Sequence, residues 1–149
     1  MVIRGEMKRG VTRSGRDNPG STESISGNIL LYFLWITRKR AEVLWQGVDK
    51  RLEDLLKELC ETKGWELVSS EIEPDRVYIG VKATPDYSPR QIVFNLKRDT
   101  AILLRKEYQD LAKMPSLWNR ETFISTIPLS KDQIMQYVIR KRRSRSSMG

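Results

Sequence analysis

The stretch ILLYFLWI, residues 29–36, decides how this chain folds. Successive side chains of a strand point to opposite faces of a sheet, so an uninterrupted apolar run makes both faces apolar. Such a strand must be covered on both sides, which places it in the middle of a sheet. The run is also far shorter than the roughly 20 apolar residues of a membrane-spanning helix. It therefore predicts a central strand, and we expect no membrane partner.

Helices and strands alternate along the chain after this strand. Residues 48–63 have apolar side chains at helical spacing and are followed by Gly64, a typical helix end. Two capping boxes, Ser88 to Gln91 and Ser130 to Gln133, predict the starts of two further helices, the first of which reaches about Tyr108. Strands are predicted at 65–73, 75–83 and 121–127. The order β-α-β-β-α-β-α predicts an α+β domain with an antiparallel sheet and helices on one face.

Composition and charge divide the chain into three parts. Residues 1–28 are rich in Gly, Ser, Asn and Arg and predict a flexible basic arm, residues 29–141 form the folded domain, and residues 142–149 form a basic tail. The 149 residues contain 27 Lys and Arg against 19 Asp and Glu, a formal net charge of +8. A protein this basic favours polyanionic partners, and nucleic acid is the first candidate.

The chain contains no histidine, so no imidazole can serve as a metal ligand, a general base or a pH sensor. Its one cysteine, Cys60, cannot form an internal disulfide. The first 28 residues contain no apolar segment of the kind that signal peptides have. We therefore expect a cytoplasmic protein, associated with the nucleoid if it is bacterial.

Two polar side chains, Arg76 and Tyr78, lie side by side on one face of the strand predicted in EPDRVYIG, residues 73–80. Two residues at this spacing are where a strand could hold a pair of metal ligands. Arginine, however, stays protonated and has no lone pair to donate, and an uncharged phenol is a poor ligand at neutral pH. The strand therefore has the position of a metal site without its ligands.

The last predicted helix has a tyrosine outside its hydrophobic stripe. On a helical wheel the stripe comprises Ile134, Met135, Val138 and Ile139. Tyr137 lies about 130° from the centre of that stripe, on a face shared with Gln133, Arg140 and Lys141. It is either a surface aromatic or cross-subunit packing contact, or a presented phenol that attacks a phosphodiester because nearby cations lower its pKa.

Many residues also occur in the order and spacing of a known family. They are Tyr32, Phe33, Trp35, Gly64, Trp65, Pro74, Asp75, Tyr87, Ser88, Pro89, Ile92, Val93, Leu117, Trp118, Phe123, Ser125, Thr126 and Tyr137. With them the chain resembles the TnpA-type single-tyrosine HUH transposases of small bacterial insertion sequences, a group similar to the REP-associated tyrosine transposases. The resemblance implies a ferredoxin-like (RRM-like) domain that forms a homodimer, recognises DNA hairpins and cleaves single strands. It also implies that Tyr137 is the nucleophile and that Mg²⁺ or Mn²⁺ is the cofactor.

The chain departs from this family at the positions that bind the metal. The paired histidines of the family correspond to Arg76 and Tyr78, and a further ligand one turn beyond the tyrosine corresponds to Lys141. We therefore predict that no metal cofactor is bound, that metal-dependent nicking is lost and that Tyr137 is inactive. A glycine common in the family after the last strand is Pro128 here, which predicts a stiffer link to the last helix.

Three functions remain open from the sequence. The first is a transposase-family DNA-binding protein that recognises hairpin or single-stranded DNA without nicking it. The second is a metal-independent strand transferase that uses Tyr137, and the third is a structural or RNA-associated interaction subunit. The side chains expected to contact nucleic acid are clustered and basic: Arg38, Lys39, Arg40, Arg90, Lys97, Arg98, Arg105, Lys106, Arg140, Arg142 and Arg143.

Overall fold

A computed structural model describes residues 27–148, with the side chains of residues 27–140. Four antiparallel strands form one sheet in the order β2-β3-β1-β4. The strands are β1 (Ile29–Ile36), β2 (Glu66–Glu73), β3 (Arg76–Ala83) and β4 (Phe123–Ser125). The stretch ILLYFLWI is central, as predicted, because β3 and β4 pair with its two edges. The strand predicted at 121–127 is shorter than expected.

Four helices accompany the sheet: α1 (Val48–Lys63), α2 (Pro89–Glu107), α3 (Gln109–Ala112) and α4 (Lys131–Met148). Gly64 ends α1 with a φ of 80°, a left-handed conformation that glycine adopts without steric cost. Both predicted capping boxes form, with reciprocal hydrogen bonds between Ser88 and Gln91 and between Ser130 and Gln133. None of the helices within residues 27–148 is long and apolar enough to span a membrane.

The predicted basic arm, residues 1–28, lies outside the described residues except for its last two. At the other end the backbone of α4 continues as a helix to Met148, through most of the segment predicted as a basic tail. The side chains from Lys141 onward, including those of Arg142 and Arg143, lie outside the described part of the chain.

The two faces of β1 are covered by different helices. Leu31, Phe33 and Trp35 pack with α1 and α2 in one core cluster. Leu34 and Ile36 alternate with them and pack with α4 in a second cluster. The α+β fold and its antiparallel sheet are confirmed, with one difference of detail: α1 and α2 lie on one face as expected, whereas α4 lies on the other. The reason is in the sequence, since a strand that is apolar on both faces needs cover on both.

The buried stripe of α4 differs from the one that its hydrophobic pattern predicts. Ile134, Tyr137 and Val138 are buried, whereas Met135 and Ile139 are 41% and 47% exposed. A helical wheel ranks residues by their own hydrophobicity and omits the surface against which the helix packs. Here that surface includes the aromatic ring of Tyr78, which belongs to the same cluster as Tyr137. The expectation that Tyr137 lies outside the packed stripe was therefore wrong.

Candidate functional site

Arg76, the first of the two strand residues predicted at metal-ligand positions, is held by an ion pair at the start of β3. Its Nε donates to Asp75 Oδ1 at 2.9 Å, and a terminal nitrogen of its guanidinium contacts Met135 Sδ of α4 at 3.1 Å. On the other side of the carboxylate, Arg40 Nε donates to Asp75 Oδ2 at 3.0 Å. Asp75 is thus shared by two guanidinium groups, and Arg76 connects the rim of the sheet to α4.

The electrostatic state of Asp75 follows from this arrangement. Its side chain is only 4% exposed. Burial alone would raise its pKa, but the hydrogen bonds from Arg76 and Arg40 outweigh burial and lower the pKa below its ordinary value. Asp75 is therefore an anion over the whole neutral range, and its charge is already matched by two cations.

Tyr78, the second of the two strand residues predicted at metal-ligand positions, contacts the link between β4 and α4. Its hydroxyl oxygen accepts a hydrogen bond of 2.7 Å from the backbone N–H of Leu129. Its ring stacks on Tyr32, with centroids 6.1 Å apart, and the residue is 9% exposed. A hydroxyl used in this way fixes the residues just before α4 to the sheet.

Tyr137 lies in the buried cluster under α4. It is 7% exposed, and its ring centroid lies 5.8 Å from that of Phe123 on β4. Burial raises the pKa of its phenol, and the opposing effect of the Arg140 charge is smaller. The expectation that nearby cations lower this pKa was wrong, because removal from water disfavours the phenolate more than the neighbouring charge favours it.

Arg76 and Tyr78 open onto a cavity of about 170 Å³ between the hairpin of β2 and β3 and the first turns of α4. It is lined by Glu71, Glu73, Arg76, Tyr78, Lys131, Ile134 and Met135. Glu71 pairs with Tyr78 and Glu73 with Arg76 across the hairpin. The sequence analysis did not identify these glutamates or Lys131 as part of the site. The tight turn at Pro74-Asp75 could have indicated the glutamates, because it sets the register that pairs them with Tyr78 and Arg76.

The donor set in this part of the chain does not suit a divalent cation. Within the described residues no three His, Cys, Asp or Glu side chains come together in a way that could hold a metal ion. The predicted third position, Lys141, lies in α4, and its side chain is outside the described part.

The basic residues predicted to contact nucleic acid fall into two groups. Four have internal partners: Arg40 with Asp75, Lys97 with Asn119, Glu121 and Thr122, Arg98 with Asp99, and Arg105 with the carbonyls of Leu111, Ala112 and Met114. Lys97 is the most enclosed of these, and burial lowers its pKa to about 8. Others are exposed, namely Lys39, Arg90, Lys106 and Arg140, while Arg38 is half-buried. Contact of any of them with nucleic acid stays a prediction.

Known proteins match this chain over most of its length. The profile of the family described as "Transposase IS200 like" matches residues 26–141. The ISDra2 transposase TnpA of Deinococcus radiodurans is 28% identical over 111 residues, which are 72% of this chain and 79% of that protein. A crystal structure of a Deinococcus radiodurans R1 protein described as a transposase superposes with a TM-score of 0.71 and 25% identity, over 82% of this chain and 96% of that one.

A third and more distant likeness is to a REP-associated tyrosine transposase bound to a REP hairpin, with a TM-score of 0.47 and 12% identity over 77% of this chain and 67% of that one. The family inferred from the sequence is confirmed by the profile, which spans all four strands, α1, α2 and α3, and the part of α4 that contains Tyr137. The chain belongs to the IS200-like transposase family.

Proposed function

We propose that this protein is a DNA-binding member of its family that recognises hairpin or single-stranded DNA and does not perform metal-dependent nicking. One observation carries the proposal: the two strand positions that would bind a metal have structural contacts instead. Arg76 is paired with Asp75, and the Tyr78 hydroxyl accepts from the Leu129 N–H. Both side chains are engaged in holding the domain together.

The residues around the cavity do not fit Mg²⁺ or Mn²⁺. Hard divalent cations prefer oxygen ligands such as carboxylates and carbonyls, and the guanidinium of Arg76 cannot donate a lone pair. Arg76 and Lys131 line the cavity together, and a fixed cation at close range repels a divalent ion by several kcal/mol at a partly shielded site. Glu71 and Glu73 also line the cavity, but the positive charges of Arg76 and Lys131 counteract their attraction for a divalent cation. We expect Mn²⁺ titrated into the purified protein in a calorimeter to show no saturable binding.

Binding of DNA is supported by charge and by family. The formal net charge of +8 favours a polyanion, and exposed cations such as Lys39, Arg90 and Arg140 are placed to contact phosphates. The relative from Deinococcus radiodurans is named a transposase, and transposases act on DNA. Because phosphate contacts release counterions, the affinity should fall steeply as salt is raised.

We further expect the protein to act as a homodimer. β4 is an edge strand of only three residues, and exposed apolar side chains lie on it and just after it: Phe123, Ile124 and, 63% exposed, Ile127. Unpaired edge strands and exposed apolar patches are typical of surfaces that pair with another chain. Sedimentation velocity should show a dimer, and Ile127→Asp should shift the protein toward the monomer.

The test of this function is a binding panel. Labelled hairpin, linear single-stranded and duplex DNA, together with an RNA hairpin, are titrated by fluorescence anisotropy at about 50 and 200 mM salt. The proposal predicts that hairpin and single-stranded DNA bind more tightly than duplex DNA, and that the affinity falls by at least tenfold over this range of salt. An affinity that does not change with salt, or tighter binding of the RNA hairpin, would contradict it.

A further inference from the structure

A groove of about 650 Å³ runs along the outer side of α2, on the face of the sheet opposite α4. One wall is α2, and the other is the segment of residues 116–124 that leads into β4. It is lined by Arg90, Val93, Phe94, Lys97, Arg98, Ala101, Arg105, Ser116, Leu117, Trp118, Asn119, Arg120, Thr122 and Ile124. Its floor includes the core residues Val93, Leu117 and Trp118, and it shares no lining residue with the cavity beside α4.

The charge of the groove has one sign. Five of the lining residues are basic, and none of the described side chains that line it is acidic. Four of the five lie on α2, from Arg90 to Arg105, which at 1.5 Å per residue is a row of roughly 22 Å. A concave surface with cations along one side attracts an elongated anion of similar length.

These cations differ in what they already bind. The ammonium of Lys97 donates to the carbonyl of Asn119 at 2.8 Å and to Thr122 Oγ1 at 3.0 Å, so it joins the two walls. Arg105 donates to backbone carbonyls beyond the end of α2. Arg90 and Arg120 are exposed, and neither guanidinium group makes a hydrogen bond or an ion pair with the described residues. Arg90 and Arg120 are thus available to a ligand, while Lys97 and Arg105 shape the groove.

Phe94 adds an aromatic surface to this row of cations. Phe94 lies one turn after Arg90, outside the buried face of α2, and its side chain is 59% exposed. The guanidinium carbon of Arg98 lies 5.3 Å from the centroid of its ring. An exposed phenylalanine beside an arginine is the combination on which unpaired nucleobases stack, with the arginine adding a cation–π contribution. Bases in a duplex are already stacked and do not offer this face.

We propose that this groove binds a single-stranded stretch of DNA, with phosphates on Arg90 and Arg120 and a base stacked on Phe94. The inference rests on the proposed DNA-binding function and adds to it the place and the form of DNA that is bound. A hairpin with a single-stranded tail would contact the groove through the tail, and a blunt hairpin would not.

The experiment compares variants that differ in one contact. Phe94→Ala, Arg90→Ala and Arg120→Ala are measured by anisotropy against a blunt hairpin, the same hairpin with single-stranded tails, and linear single-stranded DNA. Ile102→Ala is the control for Phe94, because Ile102 is 57% exposed on the same helix and does not line the groove. Lys57→Ala, an exposed position on α1, is the control for the loss of one positive charge.

We expect Phe94→Ala to weaken binding of single-stranded and tailed DNA by about tenfold and to leave the blunt hairpin unchanged. Phe94→Trp should retain the affinity, because an indole ring also provides a surface on which a base can stack. Arg90→Ala and Arg120→Ala should weaken tail binding more than Lys57→Ala does.

Three outcomes would overturn the inference. If the wild type binds DNA but Phe94→Ala behaves like Ile102→Ala, the groove is not the site, while the proposed function stands. If the wild type binds no DNA at all, both fail together. If Phe94→Ala changes the oligomeric state in sedimentation velocity, a second copy of the chain covers the groove instead.

Discussion

The buried clusters on the two faces of the sheet differ in their number of residues and in the kind of contacts that stabilise them. Among the described side chains, the face under α1 and α2 has 21 buried residues in one cluster, whereas the face under α4 has six. The first cluster is almost entirely apolar and contains the edge-to-face pair of Trp35 and Trp118. The second includes two tyrosines and is bordered by the Asp75 ion pairs and the Tyr78 hydrogen bond.

This difference predicts that the two faces contribute unequally to the stability of the fold. A large apolar cluster determines the topology and loses several kcal/mol when one side chain is truncated. A small cluster bordered by polar contacts is expected to contribute less. Arg76 and Tyr78, which the resemblance places at metal-ligand positions, lie on this second face.

Leu56→Ala and Leu34→Ala test the comparison with the largest expected effect. Both leucines are 0% exposed; Leu56 lies on the buried side of α1, and Leu34 lies on β1 under α4. We expect Leu56→Ala to lower the free energy of unfolding by about 4 kcal/mol and Leu34→Ala by about 2.5 kcal/mol, because α4 can shift to fill the space. Urea unfolding of the two variants measures both. Equal losses would show that the two faces are equally rigid.

Asp75→Asn is expected to have the next largest effect. It leaves two guanidinium groups without their carboxylate, at side-chain exposures of 21% for Arg40 and 19% for Arg76. Loss of a fully buried partner costs about 3–5 kcal/mol, and the access of water to both arginines reduces this to about 2 kcal/mol. Urea unfolding at neutral pH should show this loss, and a loss below a few tenths of a kcal/mol would contradict the role assigned to Asp75.

The role of Asp75 also predicts how the free energy of unfolding depends on pH. The pKa of Asp75 is lower in the folded protein than its ordinary value of 3.8, so its contribution is complete above that value. It is lost as the pH falls through the lower, folded pKa, where the carboxylate takes up a proton. The difference in stability between wild type and Asp75→Asn should therefore be constant near neutrality and shrink below about pH 4. A difference that grew on acidification would have the wrong sign.

Tyr78→Phe should have the smallest effect on stability of the four substitutions. It removes the acceptor of the Leu129 N–H and should cost about 1 kcal/mol, most of it at the link before α4. Amide exchange of Leu129 should accelerate. Cys60 lies on the buried side of α1, and burial raises the pKa of its thiol to about 12. Its rate of thiol labelling should stay at the wild-type value. Faster labelling of Cys60 would show that the two faces unfold together.

Much of this architecture could be predicted from local patterns. The apolar run of β1 gives its central place, Gly64 gives the end of α1, and Ser88 and Ser130 give the starts of α2 and α4. Each of these signals depends on a few neighbouring residues and on backbone chemistry alone. They were sufficient for the order of the strands and the three long helices, but not for the short helix α3. The family followed instead from residues spread over the chain, from Tyr32 to Tyr137, in the order and spacing of its members.

The environment of the site could not be predicted in the same way, because it depends on contacts between distant residues. Whether Tyr137 is buried depends on the sheet surface under α4, and a helical wheel contains no information about that surface. Arg40 and Arg76 are joined through the carboxylate of Asp75, which lies 35 residues after Arg40 in the sequence. The groove beside α2 needs the return of residues 116–124 along that helix, which the alternation of elements does not specify.

The most direct test of the central claim is a nicking assay on a tailed DNA hairpin, run in EDTA, in Mg²⁺ and in Mn²⁺, with binding measured in the same samples. The account predicts the same affinity in all three conditions and no cleaved strand in any of them. Metal-stimulated cleavage, with a covalent protein–DNA adduct that Tyr137→Phe abolishes, would contradict it. A Tyr137-dependent adduct formed in EDTA would show instead that the protein is a metal-independent strand transferase.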